Sequence, residues 1–497
     1  MAPPSTGPFT DITAAYGLDQ AQAPQVAGFD TDCEVARFMT AGAAVVDINE
    51  DGWPDLYLPR LDLADRLMIN LQGEGFEDRA TEYGLDLGGD SGAPVFFDRD
   101  GDGDLDLLLS SPTTNPRLFD RQGPRFVPVP DAAGLTVDPV PQGECSRMFG
   151  ASLGDPDGDG DLDLITAAWL DSGRSHLFIN DGQGRFQQRS AEWGLQLDED
   201  AVLTPVFVDL DADGDEDLVA ISDFADTRIF DNRGGRFVDI TQTSTLARIH
   251  DGMGADLGDV DGDGRVDLFV GGICFERPSG CLDASGWTGN HLFMNRGGGE
   301  FESQAAQAGV QRAGWAWGST FFDPDLDGDL DLAVSNGYGA FLEFENTATQ
   351  VFENDGQARF AATEWGIDDI EQGRAALAFD FDLDGDEDLL IVHHGAPPVL
   401  YRNDLPKTQV SLQVRVNLGP MNPRGLGCEV RLSRPDGPTQ VRLIGGHSHF
   451  GAHALAEARF AVPSREGPYS LEVWLHGQLQ HRRALDALPP SGCLTVP

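Results

Sequence analysis

Seven copies of one acidic nonapeptide carry most of the chemistry this chain can do. Each has the form Asp-x-(Asp/Asn)-x-Asp-Gly-x-x-Asp followed by Leu, and the copies begin at Asp47, Asp98, Asp155, Asp209, Asp259, Asp323 and Asp380, about 50 to 65 residues apart. Side chains at positions 1, 3, 5 and 9, with the backbone carbonyl of position 7, converge on one cation in an oxygen-only shell. Six or seven hard oxygen ligands suit Ca²⁺, whereas Mg²⁺ demands a stricter octahedron and keeps several waters.

The expected ligands, about seven structural Ca²⁺ in all, are Asp47, Asn49, Asp51, Trp53 and Asp55 in the first copy and Asp98, Asp100, Asp102, Asp104 and Asp106 in the second. The third and fourth copies offer Asp155, Asp157, Asp159, Asp161, Asp163 and Asp209, Asp211, Asp213, Asp215, Asp217. The fifth offers Asp259, Asp261, Asp263, Arg265 and Asp267, in which Arg265, like Trp53, lends only its carbonyl. The last two offer Asp323, Asp325, Asp327, Asp329, Asp331 and Asp380, Asp382, Asp384, Asp386, Asp388. Position 6 is Gly every time, as a loop closing around an ion needs a residue free to take positive φ. An EF-hand would need a bidentate Glu at position 12 and flanking helices, and the pattern has neither.

The elements that must position these loops are strands. After position 9 every copy enters a short apolar run, among them LYL, LLLS, LITAA, LVAIS and LLIV, and before position 1 lies another, such as AGAAVVD at 41–47 or AALAFD at 375–380. Short apolar runs, rich in Leu, Val and Ile and bounded by turn residues, read as buried strands. A third strand then ends in Asn and a Gly turn, and a fourth begins at Phe, as in LFINDGQGRFQQ at 177–188 and VFENDGQARF at 351–360, a strong hairpin signal. Four antiparallel strands per repeat make a propeller blade, and repetition at this period predicts a closed, all-β, seven-bladed ring. FTDITAAYGL at 9–18 reads as an outermost strand lacking its blade and LYRND at 400–404 as a third strand lacking its partner, so their pairing would seal the ring.

Over about residues 9–404 the chain resembles the FG-GAP or VCBS repeat propellers, whose calcium-loop blades also occur in integrin alpha chains. The segment 405–497 resembles the ASPIC/UnbV module that follows such propellers in the cartilage acidic protein family and its bacterial relatives, on NPRGLGCEVRL at 422–432, GGHSHFG at 445–451 and YSLEVWLHGQLQ at 469–480. It departs from that pattern at Phe460-Ala461-Val462-Pro463 and at Trp474-Leu475-His476-Gly477. The expected organisation is a propeller over 1–404 and a small β-rich, sandwich-like domain over 405–497. The resemblance implies binding or adhesion, and relatives with this blade include adhesion receptors and lectins.

A net charge of −50, from 83 acidic and 33 basic residues, makes nucleic acid or an anionic membrane an unfavourable partner. Seven Ca²⁺ would bring it to roughly −36. Six cysteines suggest three bridges in an oxidising compartment. Proximity favours Cys274 with Cys281 and Cys428 with Cys493, leaving Cys33 with Cys145; six free thiols are the other reading. No stretch approaches the twenty or so apolar residues of a membrane span, and no leader is present. Secretion, or a periplasmic or surface location with the leader removed, is therefore inferred from cysteines and calcium loops.

A calcium ion fully ringed by protein is a brace, which moves function to the opposite face. There the connections at 20–40, 130–149, 240–254, 271–291 and 335–350 are long. They and their neighbours carry the candidates for binding a glycan or protein ligand: Trp169, Trp287, Trp315, Trp317, Arg147 and His250, beside Asp251, His393 and His394. Trp315 and Trp317 also suit packing between blades at a strand start. His447, His449 and His453 are spaced to put two imidazoles on one strand face, which suits Zn²⁺ or Cu²⁺, or they belong to a Gly-rich loop. No nucleophile with its base, phosphate loop or separable carboxylate pair stands out, so no catalytic residue is assigned. The alternative is a polysaccharide lyase or hydrolase on a calcium-braced propeller, with His250, Asp251 and Arg147 as its candidates.

Overall fold

The computed structural model describes residues 7–23, 32–112, 114–135, 148–169, 175–197, 200–246, 249–275, 281, 288–339, 343–435, 437–446 and 449–497. The chain is all-β and folds as a propeller. Among the described residues, seven sheets each take four antiparallel strands, from consecutive sequence apart from the last, and sheet one carries a fifth, parallel strand, Ala452–His453. Sheet one runs Ala43–Val46, Asp55–Leu58, Arg66–Asn70, Phe76–Asp78, and sheet four Val202–Val208, Asp217–Ser222, Arg228–Asn232, Phe237–Asp239. In sheet seven, Gly373–Phe379, Asp388–His393 and Val399–Asn403 are completed by Phe9–Asp11 from the start of the chain, in the register Phe9↔Asn403 and Asp11↔Tyr401.

The first two strands of each sheet are almost wholly buried, because both of their faces lie against neighbouring sheets. That explains their continuous apolar runs. The fourth strands, such as Phe76–Asp78 and Phe237–Asp239, bury only their leading Phe. First strands pack on first strands: Val95 and Phe97 share a core with Ala151 and Leu153, Val206 with Ala255 and Leu257, Ala43 and Val45 with Ala375 and Leu377. They therefore line the axis of the ring, and the acidic nonapeptides, each joining a first strand to a second, all emerge on one face.

Residues 410–496 form two more sheets, one of three strands (Ala458–Val462, Val410–Val416, Cys493–Val496) and one of four (Gln440–Leu443, Glu429–Ser433, Glu466–Leu475, Gln478–Ala487). Leu412, Val414 and Phe460 of the first meet Val430, Leu471 and Val473 of the second in a core that continues into Val95, Phe97 and Leu153 of the propeller. One expectation fails here. Cys428 and Cys493 are unbonded, since the first leads into the four-stranded sheet and the second lies on an edge strand of the other. Of the C-terminal histidines, His449 Nδ1 faces the Ser319 carbonyl at 3.3 Å and His453 Nδ1 the Phe96 amide at 3.5 Å, and His447 lies outside the described residues.

Those two histidines belong to a segment that runs down the propeller axis. The Gly446 carbonyl accepts from the Leu153 amide at 2.9 Å, the Phe450 ring lies 5.0 Å from Trp317, and Ala452–His453 pairs in parallel with Ala43–Ala44. Ala454 and Leu455 then pack beside Ala375 and Leu377. The C-terminal segment thus touches the inner strands of sheets one, two, three, six and seven.

Candidate metal loops and the two faces of the propeller

The nonapeptide folds alike in all seven copies. One oxygen of the position 1 carboxylate accepts the amide of the position 6 Gly at 2.9–3.1 Å throughout. Those glycines have φ between 88° and 105°. Position 4 is left-handed too, even where it is Glu50 (59°), Ala212 (65°), Leu326 (56°) or Leu383 (54°). This costs an L-residue about 1–2 kcal/mol each time, a strain the sequence pattern did not announce.

Position 9 is the hub. One of its oxygens accepts a third-strand backbone amide at 2.7–2.9 Å in every copy. In five copies the other accepts the position 2 amide at 3.0–3.4 Å. The third and sixth copies have Pro156 and Pro324 there, which have no N–H to give. Asp163 Oδ2 and Asp331 Oδ2 are accordingly buried without a hydrogen bond. Burial, reinforced by the neighbouring carboxylates, pushes Asp163 up to about 10 and Asp331 up to about 9. The same causes raise Asp155 and Asp323 to about 8.

Carboxylate trios such as Asp98, Asp100, Asp102 and Asp155, Asp157, Asp163 bring one oxygen each within 4.8 Å of the others. Clustered anionic oxygens with unfilled lone pairs in a partly buried loop are costly alone, and a hard cation relieves both the repulsion and the missing bonds. The residues present therefore fit an oxygen-ligated cation. Arg265 is consistent with giving only its carbonyl, as its Nε is turned to the Asn295 carbonyl at 2.7 Å.

The Asn that ends most third strands has a role the hairpin reading missed. Its amide spans two sheets, donating to the position 8 carbonyl of its own loop and the position 2 carbonyl of the preceding sheet's loop. Asn70 bonds Pro54 and Phe381 (3.0 and 2.8 Å), Asn232 bonds Glu216 and Pro156 (3.0 and 2.8 Å), and Asn403 bonds Glu387 and Pro324 (3.1 and 2.7 Å). Asn180 and Asn354 do likewise. Two loops add a carboxylate: Glu216 accepts the Asp155 amide at 2.7 Å and Glu387 the Asp323 amide at 3.0 Å, each in the preceding sheet.

The C-terminal sheets lie over this loop face. Arg459 Nη1 is 3.1 Å from Asp380, and Lys407 Nζ is 2.7 Å from Asp384 and 3.2 Å from Asp386. Thr408 donates to the Asp325 carbonyl at 3.1 Å, Gln409 to the Asp327 carbonyl at 3.0 Å and Arg442 to the Gly328 carbonyl at 3.1 Å.

The opposite face differs from the sequence reading. Trp169, Trp315 and Trp317 are 3%, 4% and 0% exposed, so none presents a face to a ligand. Trp169 Nε1 donates to Asp223 at 3.0 Å, and Trp317 Nε1 donates to the Gly337 carbonyl at 2.9 Å. They join Phe38, Phe149, Tyr338 and Phe450 in one aromatic core under the helix Asp32–Met39. Arg374, wholly buried, lies 4.3 Å from the Trp317 ring and donates to the Gly337, Gly373 and Phe38 carbonyls. Burial lowers it to about 9.

Trp287 and Arg147 lie outside the described residues. His250 is half-exposed, 3.7 Å from Asp226 and 4.0 Å from the buried Asp251. His393 is buried and paired with Asp369 at 2.9 Å, and His394 Nδ1 faces the Thr40 carbonyl at 3.1 Å, so neither is offered to a ligand. Phe224, which the sequence reading passed over, is 53% exposed at φ 58° in the connection after Asp217–Ser222, its ring 6.5 Å from Trp169. Cys274 and Cys281 form a disulfide on this face, while Cys145 of the expected pair Cys33 and Cys145 falls outside the described residues. Among the described residues no helix is long and apolar enough to cross a membrane.

The class that the fold and loops define is a β-propeller with FG-GAP-like repeats. Residues 41–109, 155–220 and 209–270 match the model of the FG-GAP-like repeat. No curated protein matches the chain. Among solved structures it is similar to an Agrocybe aegerita lectin that recognises non-reducing terminal N-acetylglucosamine, at 17% identity and a TM-score of 0.42 over 73% of this chain and 94% of that one. It is also similar to BBS1N in complex with ARL6DN, at 10% identity and a TM-score of 0.45 over 74% and 92%. YCF48 bound to D1 peptide shares 14% identity, with a TM-score of 0.38 over 73% and 91%.

Proposed function

We propose that this chain is a calcium-braced, seven-bladed propeller over residues 1–404, closed by a β-rich C-terminal domain over 405–497, that acts outside the cytoplasm as a binding module. The observation that carries the reading is the sevenfold loop geometry, with buried carboxylate oxygens left unpaired where proline removes the local donor. The five ligands expected of each nonapeptide hold Ca²⁺ as a structural ion, and the Asn amides transmit the bracing from one blade to the next. The cation supplies charge neutralisation and cross-linking. Binding of a glycan or protein ligand is assigned to the face opposite the loops, because the C-terminal sheets cover the loop face. Exposed Phe224 and half-exposed His250 replace the buried tryptophans as its anchors. The disulfide supports an oxidising location.

The test is an array of immobilised glycans and extracellular proteins probed with calcium-loaded protein and with its Phe224→Asp variant. Saturable binding that is lost in the variant supports the assignment. Binding that survives both the substitution and chelation refutes it.

A further inference from the structure

We infer that the cleft between the C-terminal four-stranded sheet and the loops of sheets four and five is a second binding site, built for a neutral saccharide. It goes beyond the opposite-face site and shares no residue with it. The cleft has a volume of about 280 Å³ and draws Trp474, His476, Glu429 and Arg431 from the C-terminal sheet, facing Glu216 and a glycine wall that includes Gly297 and Gly298.

Strand register creates the platform. Glu429 pairs with Trp474 and Arg431 with Glu472 across adjacent strands, so all four side chains leave one face of the sheet. Trp474 Nε1 donates to Glu472 at 2.9 Å and the Arg431 guanidinium lies 5.1 Å from the ring, which fixes the indole. The ring is half-buried and borders the exposed Leu479, its cross-strand neighbour. A fixed, half-buried indole in the cleft wall, one face of which carries Arg431, offers apolar surface to the C–H face of a sugar ring.

Charge decides the ligand class. Arg431 is neutralised by Glu429 at 2.6 Å, Arg482 by Glu472 at 2.8 Å, and Arg265 at the rim by Asp263. Glu216 is engaged by the Asp155 amide. The arginines that line the cleft are thus paired, and the carboxylates left over are Glu216 and Asp209, the latter part of the fourth metal loop, so the described lining has no free cation with which to hold an anionic sugar. It retains planar donors and acceptors in fixed positions, which suit hydroxyl groups. His476 adds one more: its Nε2 is buried without a hydrogen bond, 4.0 Å from Glu216 Oε1. A buried polar atom left unpaired is costly, and a ligand hydroxyl placed between the two would satisfy both. The glycine wall brings the ligand against the backbone, where no side chain intervenes.

The experiment is saturation-transfer NMR and isothermal titration of the intact calcium-loaded protein with neutral gluco-, manno-, galacto- and N-acetylhexosamine oligosaccharides. At least one should bind saturably, weakened roughly tenfold or more by Trp474→Ala, given what aromatic stacking contributes. His476→Gly, which suits the φ of 48° at that position and so keeps the fold, should weaken it by about threefold or more. Phe224→Asp should leave this binding unchanged, which separates it from the opposite-face site. Binding by none of these saccharides, equal binding by wild type and both cleft variants, or loss only in Phe224→Asp would overturn the inference.

Discussion

Replacing Asn232 by Ala measures how much of the ring's cohesion runs through the loop carbonyls. The Asn232 amide donates to Pro156 in sheet three and Glu216 in its own sheet, and its oxygen accepts the Gly235 amide at 2.9 Å, all in a fully buried site. Alanine leaves both carbonyls without that donor. At about 1.5 kcal/mol for each unpaired buried group, the loss is about 3 kcal/mol. Asn295 is the internal control. It occupies the same place in sheet five but donates only to Val266 at 3.2 Å, and it is half-buried. Asn295→Ala should therefore cost about 1 kcal/mol. Urea unfolding of both variants at saturating Ca²⁺ gives the comparison, and the difference of about 2 kcal/mol should appear as a melting shift of roughly 2 °C per kcal/mol. Equal losses within about 0.5 kcal/mol would refute the claim that the cross-sheet bond is what distinguishes the two.

Three further outcomes follow from the geometry. Ala212→Gly, at φ 65° in position 4 of its loop, should stabilise the protein by about 0.5–1 kcal/mol despite adding a glycine, since relief of the left-handed strain exceeds the unfolded-state cost; a melting point at or below wild type contradicts it. Arg374→Met should remove the donor to the Phe38 carbonyl and the ring contact with Trp317, so hydrogen exchange in Asp32–Met39 should quicken while exchange in Cys493–Val496 does not. Burial opposes protonation of His393, but the Asp369 carboxylate outweighs it and raises the imidazole above its ordinary value of 6.5. A raised folded-state value means stability fully present below pH 6.5 and lost as pH rises through the folded value. The stability advantage of wild type over His393→Asn should thus shrink on alkalinisation, and a pH-independent difference would contradict it.

The loops were legible in the sequence because their chemistry is local. Ligand spacing, the position 6 glycine and the apolar runs on either side all lie within about fifteen residues, and each repeats. What the sequence hid depends on contacts between distant segments. The left-handed position 4 tolerates Glu50, Ala212, Leu326 and Leu383, so residue type gave no sign of it. The Asn of the third strand was visible as a turn residue, but its second acceptor belongs to another sheet. Trp315 and Trp317 suited either a ligand or packing at a strand start, and the structure takes the second. What the sequence hid is which groups cover them: Phe450, arriving along the axis from a different part of the chain, and the helix Asp32–Met39. Cys428 and Cys493, matched by proximity along the chain, are held in different sheets by strand order, which no spacing rule conveys.

The central claim is that seven ions brace the ring, and metal stripping followed by calcium titration tests it most directly. With Ca²⁺ at a hundred times its dissociation constant, each filled site contributes about 2.7 kcal/mol, so the seven together dominate stability. Calorimetric titration and elemental analysis of the reloaded protein should return about seven Ca²⁺ per chain, with a melting temperature that falls steeply on chelation and recovers on reloading. A protein that melts at the same temperature with and without chelator, or that takes up fewer than about five equivalents, would contradict the account.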